Sequence, residues 1–239
     1  MNFIFIIAII FTISMIVSVY FYKKRSYYKS NNFITTPEEA LAVLLQGNKQ
    51  FSSTWCQKTK KARKATSIIQ KPFAVILNCS DSRVPTEIIF NQLHVGSVFV
   101  VRNAGNVIDG VVLGSIEYGI EQLHAVLVII LGHERCGAVI ATVDSVMKQK
   151  APQAGHIKNI IEAITPAVDK ILREQKISLP NNHIDEQTLV SQVVKENVLL
   201  EMSNLYQHSK IVRDAVDAGK IKIVGAYYDL DDGNIHIIS

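Results

Sequence analysis

This sequence predicts an α/β fold: a mainly parallel sheet of about five strands covered by helices, with one apolar segment of membrane-spanning length ahead of it. Three observations point there. Short continuous apolar runs alternate with helix-length periodic stretches, the pattern of strands buried on both faces. The residues best suited to chemistry, Cys79, Asp81, Arg83, His133 and Cys136, follow directly on two of those runs. In open α/β sheets, ligands bind just outside the carboxyl ends of the strands. Residues 3–22 contain no charged residue, and a helix of that length spans about 30 Å, the hydrocarbon thickness of a bilayer.

The apolar segment is followed at once by Lys23, Lys24, Arg25 and Lys29. No basic residue precedes it and no small-x-small cleavage site follows it, which favours an uncleaved anchor over a secretory signal. The positive-inside rule then puts the rest of the chain in the cytoplasm; export to the periplasm is the alternative. Residues 1–22 are thus the anchor or signal segment, 23–34 a basic polar linker and 35–239 one domain. Thr36 as N-cap, Pro37 at the first helical position and Glu39 at the third start a helix that runs to Phe51. Phe73–Asn78, entered through Pro72, reads as the first strand, and Thr86–Asn91 as a short helix. Ser97–Arg102 is the second strand, Val111–Leu123 a helix, and Ala125–Leu131 the third strand. Helices follow over Cys136–Lys148, Ile157–Glu174 and Glu186–His208, then a fourth strand over Lys220–Tyr228. Ile235–Ile238 is a fifth, edge strand after the turn Asp231-Asp232-Gly233-Asn234.

Composition narrows the function. Three cysteines are too few for a disulfide framework, and Cys56 reads as a spare thiol. Residues 1–64 carry a net charge of +8 and residues 65–239 a net −4. The basic excess includes Lys58, Lys60, Lys61, Arg63 and Lys64, which suits either a solvated loop or an anionic lipid surface. No nucleic-acid recognition motif accompanies it, so nucleic acid is not an expected partner. No Gly-x-Gly-x-x-Gly follows the first strand, which disfavours dinucleotide binding.

The pattern Cys79-x-Asp81-x-Arg83 and His133-x-x-Cys136 offers two thiolates and one imidazole. Structural zinc is usually held by four protein ligands, whereas catalytic zinc keeps one position free. The two ligand groups lie 54 residues apart and meet if their strands are neighbours. His94, His124, His156, His183, His208 and His236 have no ligand-like spacing to a cysteine.

These residues resemble the β-class carbonic anhydrases. The resemblance extends through Ala40–Phe51, Arg102-Asn103-Ala104-Gly105-Asn106, Gly114–Tyr118, Leu131–His133, Cys136–Val139 and Gly225–Asp229, and covers residues 35–239 as the catalytic domain. Asn91 and Ser97 depart from it, where the family often has Asp, and His94 and Val95 fill a loop that is usually more turn-like. The resemblance implies zinc held by Cys79, His133 and Cys136, and reversible hydration of carbon dioxide to bicarbonate by attack of zinc-bound hydroxide. That zinc makes bound water acidic enough is known from carbonic anhydrases themselves. It also implies that Asp81 orients the nucleophile and that Arg83 holds Asp81. Gln70, Phe99, Tyr118 and the Gly137 N–H match substrate-binding positions, Phe99 and Tyr118 reaching in from a neighbouring subunit. Ile76 stands where the bicarbonate-inhibited subgroup has Trp, so the resemblance implies the open, non-allosteric type. A dimer or tetramer follows from the shared pocket. Two other readings stay open: a zinc hydrolase on this scaffold acting on another cumulated molecule such as carbon disulfide, or a non-enzymatic anchored protein with structural zinc.

Overall fold

In the computed structural model, which describes residues 37–53, 63–92, 94–148, 155–177 and 185–239, the apolar run after Pro72 forms β1 (Ala74–Cys79), buried along its whole length. The expected spanning segment, the linker and the Thr36 cap fall on residues 1–36, and Cys56 with Lys58, Lys60 and Lys61 on 54–62; all lie outside the described residues. Among the described residues no helix is long and apolar enough to cross a membrane. The chain divides into two compact units, residues 1–60 and 61–239. The first contains α1 (Pro37–Ser53), which begins at the proline as the fixed φ of Pro at a first helical position favours.

The second unit is built on one sheet. β2 (Val98–Asn103), β1, β3 (Leu127–His133) and β4 (Lys222–Tyr228) run parallel in that spatial order, and β5 (Ile235–Ile237) closes the edge antiparallel to β4. Between them run α2 (Thr86–Ile89), α3 (Gly110–Glu121), α4 (Gly137–Met147), α5 (Ile157–Glu174), α6 (Glu186–His208) and α7 (Lys210–Asp217). Side chains alternate across the sheet with the strand period of two. Val75, Leu77, Val128 and Ile130 pack with Ile116 of α3, Val198 and Leu205 of α6 and Val212 of α7. Ile76 and Leu131 lie in a separate cluster with Ala226, under Ile89 and Phe90. A third cluster joins Val139 and Val143 of α4, Ile164 and Val168 of α5, and Leu189 and Val193 of α6. Cys79 and Cys136 belong to this third cluster, so the expected metal ligands back onto packed helices.

Most element boundaries shift by one or two residues from the sequence expectation, and the starts of two strands have a traceable cause. The third strand starts at Leu127, because the Ala125 N–H is given to the Gly119 carbonyl and finishes α3. The fourth starts at Lys222, because Lys220 and Ile221 both donate to the Ala215 carbonyl. That carbonyl belongs to α7, a helix the expectation lacked. Ser209 breaks the chain away from α6, and its hydroxyl accepts from the Val212 N–H as the cap of α7.

β3 and α6 pack closely because Gly132 has no side chain. A Cβ there would meet Val198 Cγ2 at 2.8 Å and Val194 Cγ1 at 2.9 Å. Gly132→Ala is therefore expected to lower the unfolding free energy in urea by about 1–3 kcal/mol, the cost of overpacking a filled core. Gly110→Ala is the control: its Cβ meets nothing within 4 Å. Equal unfolding midpoints for the two variants would refute the close-packing account.

Candidate metal centre

Cys79 is the last residue of β1 and His133 the last of β3. These strands are neighbours, with Asn78 opposite Leu131, so the two side chains leave the same edge of the sheet. Cys136 returns to them through a turn in which Arg135 takes a left-handed φ of 52°. A non-glycine residue needs support in that conformation. Arg135 has it, through hydrogen bonds to both carboxylate oxygens of Asp231, at 3.0 and 2.7 Å, and to Glu134 Oε1 at 2.9 Å. The two sulfurs lie 3.9 Å apart, and one ligand atom from each of Cys79, His133 and Cys136 falls within 4.8 Å of the others. All three residues are buried.

Their hydrogen bonds fix the chemistry. His133 Nδ1 lies 2.9 Å from the Glu134 carbonyl oxygen, which calls for a proton on Nδ1 and leaves Nε2 as the acceptor. Nε2 is buried with no hydrogen-bond partner among the described residues. The Cys136 thiol, the His133 ring and the Gly105 N–H, 3.4 Å from Sγ, hold the Cys79 thiol far below its ordinary range, against the effect of burial. Cys136 goes the opposite way, pushed up by the neighbouring Cys79 sulfur and by burial, while the first-turn N–H groups of α4 oppose the rise. Two buried sulfurs in contact thus share one proton. A divalent cation in place of that proton lets both be thiolates and gives Nε2 its partner. Two sulfurs and one imidazole suit zinc, and three protein ligands leave a fourth position free.

Asp81 stands beside the cluster, its Oδ2 4.0 Å from His133 Nε2. It is engaged elsewhere. Arg83 Nε and Nη2 donate to its two oxygens at 2.9 and 2.8 Å, and the Arg83 N–H donates to Oδ1 at 2.9 Å. This guanidinium holds the Asp81 carboxyl down at about 2, so it is ionised at any working pH. Arg83 Nη2 also donates to the Arg135 carbonyl, tying the loop after β1 to the loop after β3.

The structure therefore brings together Cys79, Asp81, Arg83, His133 and Cys136. Gly137 opens α4 next to Cys136, and nothing lies within 4 Å of where its Cβ would be. Gln70, Phe99 and Tyr118 stand outside this cluster. Gln70 is exposed before β1, and the Phe99 and Tyr118 rings face each other with centroids 6.1 Å apart. Two supporting residues were missed in the sequence. Arg102 donates to the Cys79 and Asp81 carbonyls at 3.0 and 2.8 Å. Asn78 accepts from the Cys79 N–H at 2.7 Å and donates to Val84 and Thr86. The available signal was a polar residue inside an otherwise apolar strand.

The fold and site define a class: an α/β protein with a Cys-His-Cys cluster that could hold a metal at the carboxyl edge of a parallel sheet, and an ion-paired carboxylate beside it. The family model described as carbonic anhydrase matches residues 74–235. Carbonic anhydrase 2 of Mycobacterium tuberculosis is 37% identical over 202 residues, covering 83% of this chain and 91% of that protein. The β-carbonic anhydrase of Coccomyxa, solved with acetazolamide, superposes with a TM-score of 0.71 at 25% identity, over 83% of this chain and 86% of that one. A β-carbonic anhydrase of Sordaria macrospora, described as tetrameric, gives a TM-score of 0.72 at 20% identity, over 84% and 97%. The chain belongs to the carbonic anhydrase family, in its β class, and is a carbonic anhydrase.

The Asp81–Arg83 pair has a measurable sign. A carboxyl whose pKa is lowered on folding adds stability above its ordinary value and loses it as pH falls through the lowered one. Asp81 goes from 3.8 to about 2, so that window is acidic. Arg83→Ala should return the Asp81 pKa toward 3.8, read by carboxyl-carbon NMR titration. Arg83→Lys, which keeps the charge and loses the fork, should fall between. A titration unmoved by Arg83→Ala would show that the guanidinium does not set it.

Proposed function

We propose that this carbonic anhydrase works with zinc held by Cys79, His133 and Cys136 and hydrates carbon dioxide reversibly to bicarbonate and a proton. The observation that carries the reading is the buried Nε2 of His133, without a hydrogen-bond partner among the described residues, beside two sulfurs 3.9 Å apart. When bound, zinc supplies a Lewis acid that makes water in the free position a nucleophile near neutral pH.

The chain's own residues do the rest. Asp81, held ionised by Arg83, accepts a hydrogen bond from the attacking water and so aims its lone pair at the carbon. An ionised carboxylate cannot donate, so the water cannot adopt the reversed orientation. The Gly137 N–H at the start of α4 is the donor for a substrate oxygen, where a helix terminus favours developing negative charge. Gln70, Phe99 and Tyr118 complete the pocket in an assembled dimer or tetramer. Support for assembly comes from the apolar side chains that α1 and α3 leave exposed, including Leu41, Leu44, Leu45, Val111 and Tyr118, and from the tetrameric relative. The charge-free run 3–22 with its basic flank anchors the chain as one uncleaved spanning helix, with the catalytic domain inside the cell.

Carbon dioxide hydration by the purified chain, with and without zinc, tests the reading. Cys136→Ala should lose zinc and activity together; one retained zinc per chain with full activity would overturn the ligand set. Asp81→Asn should keep zinc and lose hydration by about two orders of magnitude, since the amide can donate and misorient the water. An unchanged rate between pH 7 and 9 would remove the orienting role.

Assembly and topology have separate tests. Sedimentation should give a dimer or tetramer, and a fully active monomer would refute the shared pocket. A reporter fused after Ser239 that works only in the cytoplasm should be active. Activity of a periplasm-only reporter instead would reverse the orientation and leave the enzyme reading intact.

A further inference from the structure

We propose that Asn197, reaching from α6, is a positioning residue for the metal ligand Cys79 and acts through Gly105. The proposal rests on the reading of Cys79 as a zinc ligand. Asn197 Nδ2 donates to the Gly105 carbonyl at 3.0 Å, and the Gly105 N–H donates to Cys79 Sγ at 3.4 Å. Both contacts converge on one residue with a left-handed φ of 78°. Its backbone is free to rotate except where neighbours stop it.

Packing stops it on the side where a Cβ would stand. A Cβ at Gly105 would meet Ile164 Cδ1 at 2.7 Å and Ala138 Cβ at 3.1 Å, so α5 and α4 press on it from one direction. The loop around it is pinned on both flanks. The Asn103 side chain brackets Val107, accepting from its N–H at 3.0 Å and donating to its carbonyl at 2.7 Å. Glu201, one turn beyond Asn197 on α6, accepts from the Ile108 N–H at 3.2 Å. Asn197 holds the Gly105 carbonyl itself, and without it that buried oxygen loses its partner and the turn is free to tilt the N–H away from sulfur.

Asn197 does this at a cost. It is buried, and its Oδ1 has no hydrogen-bond partner among the described residues. A half-satisfied buried amide is a poor way to stabilise a core, where an apolar side chain of the same shape would do as well or better. Its paired end is what explains it. An N–H donated to a thiolate withdraws charge from the sulfur, so it sets how strongly Cys79 donates to the metal, and groups of this outer kind alter metal affinity substantially.

The test uses the 239-residue chain purified in detergent, as wild type and with Asn197→Leu, Asn197→Met and Tyr206→Phe. Tyr206→Phe is the control, since it removes only an exposed hydrogen bond from α6 to Asp217. Two quantities are read: zinc affinity by chelator competition, and the energy of the thiolate-to-metal charge-transfer band after cobalt substitution. Asn197→Leu should weaken zinc binding by about tenfold and move the band to longer wavelength, because a sulfur without its N–H donor holds its lone pair less tightly. Tyr206→Phe should leave both unchanged. A merely structural role for Asn197 would lower thermal stability and leave the band where it is, and that result would overturn the proposal. Asn197→Met, which is apolar and lacks the amide donor, carries the same expectation if Asn197→Leu fails to fold. A scalar coupling between the metal and the Gly105 N–H in the cadmium-loaded wild type measures the hydrogen bond with no substitution, and its absence would also overturn the proposal. A wild type with no cobalt charge-transfer band at all would instead sink the Cys79 ligand assignment.

Discussion

Everything at the centre depends on one constraint: β1 and β3 are parallel neighbours that end together. A parallel pair sends both carboxyl ends to the same edge of the sheet, and the register sets Asn78 against Leu131, so Cys79 and His133 emerge side by side. The chain meets this constraint by burying β1 and most of β3 between helical layers, where a slip of one residue would turn every apolar side chain to the wrong face. Packing therefore fixes the ligand geometry before any metal arrives. Cys136 is the one ligand that does not sit on a strand. Its position depends on the left-handed Arg135, held by Asp231, and on its place at the start of α4.

The charges around the centre are divided by burial. Cys79, His133 and Cys136 are shut away from solvent, where an uncompensated thiolate pair is costly. Asp81 and Arg83 lie toward the open side, the arginine half exposed. Such an exposed pair contributes little to stability. Its consequence is chemical: a carboxylate saturated by a two-pronged guanidinium is a weak competitor for the cation and remains a hydrogen-bond acceptor. The same arginine contacts the Arg135 carbonyl, so the loops after β1 and β3 are joined beside the cluster.

Much of this was legible in the sequence. The apolar runs ending at Asn78 and Leu131 located two strands, and the cysteine, histidine, aspartate and arginine beyond them located the site. Local patterns sufficed because a strand end, a turn and a helix start are each only a few residues long. The strand order was less legible, since nothing local says that β2 lies outside β1. α7 went unread because it is short and follows directly on the long α6. Its cap, Ser209, and the apolar pairs Ile211-Val212 and Ala215-Val216 at helical spacing were the available signals. The bond from Asn197 to Gly105 crosses 92 residues, and no periodicity or spacing announces it.

What the sequence could least convey is that the centre is held mostly by backbone atoms. The Glu134 carbonyl fixes the His133 tautomer, the Gly105 N–H meets the Cys79 sulfur, and the carbonyls of Cys79 and Asp81 receive Arg102. Every residue carries these groups, so their identity at a given position has no signature in the residue type. Their placement follows from fold alone, through a tight turn at Gly105 where a Cβ would crowd Ile164 and Ala138 and the left-handed φ would be strained. The side chains that do the chemistry are thus few and readable, while the groups that tune them are supplied by the course of the chain. This is why the motif residues suffice to locate the cluster, whereas the surroundings of its sulfurs depend on α4, α5 and α6 packing behind them.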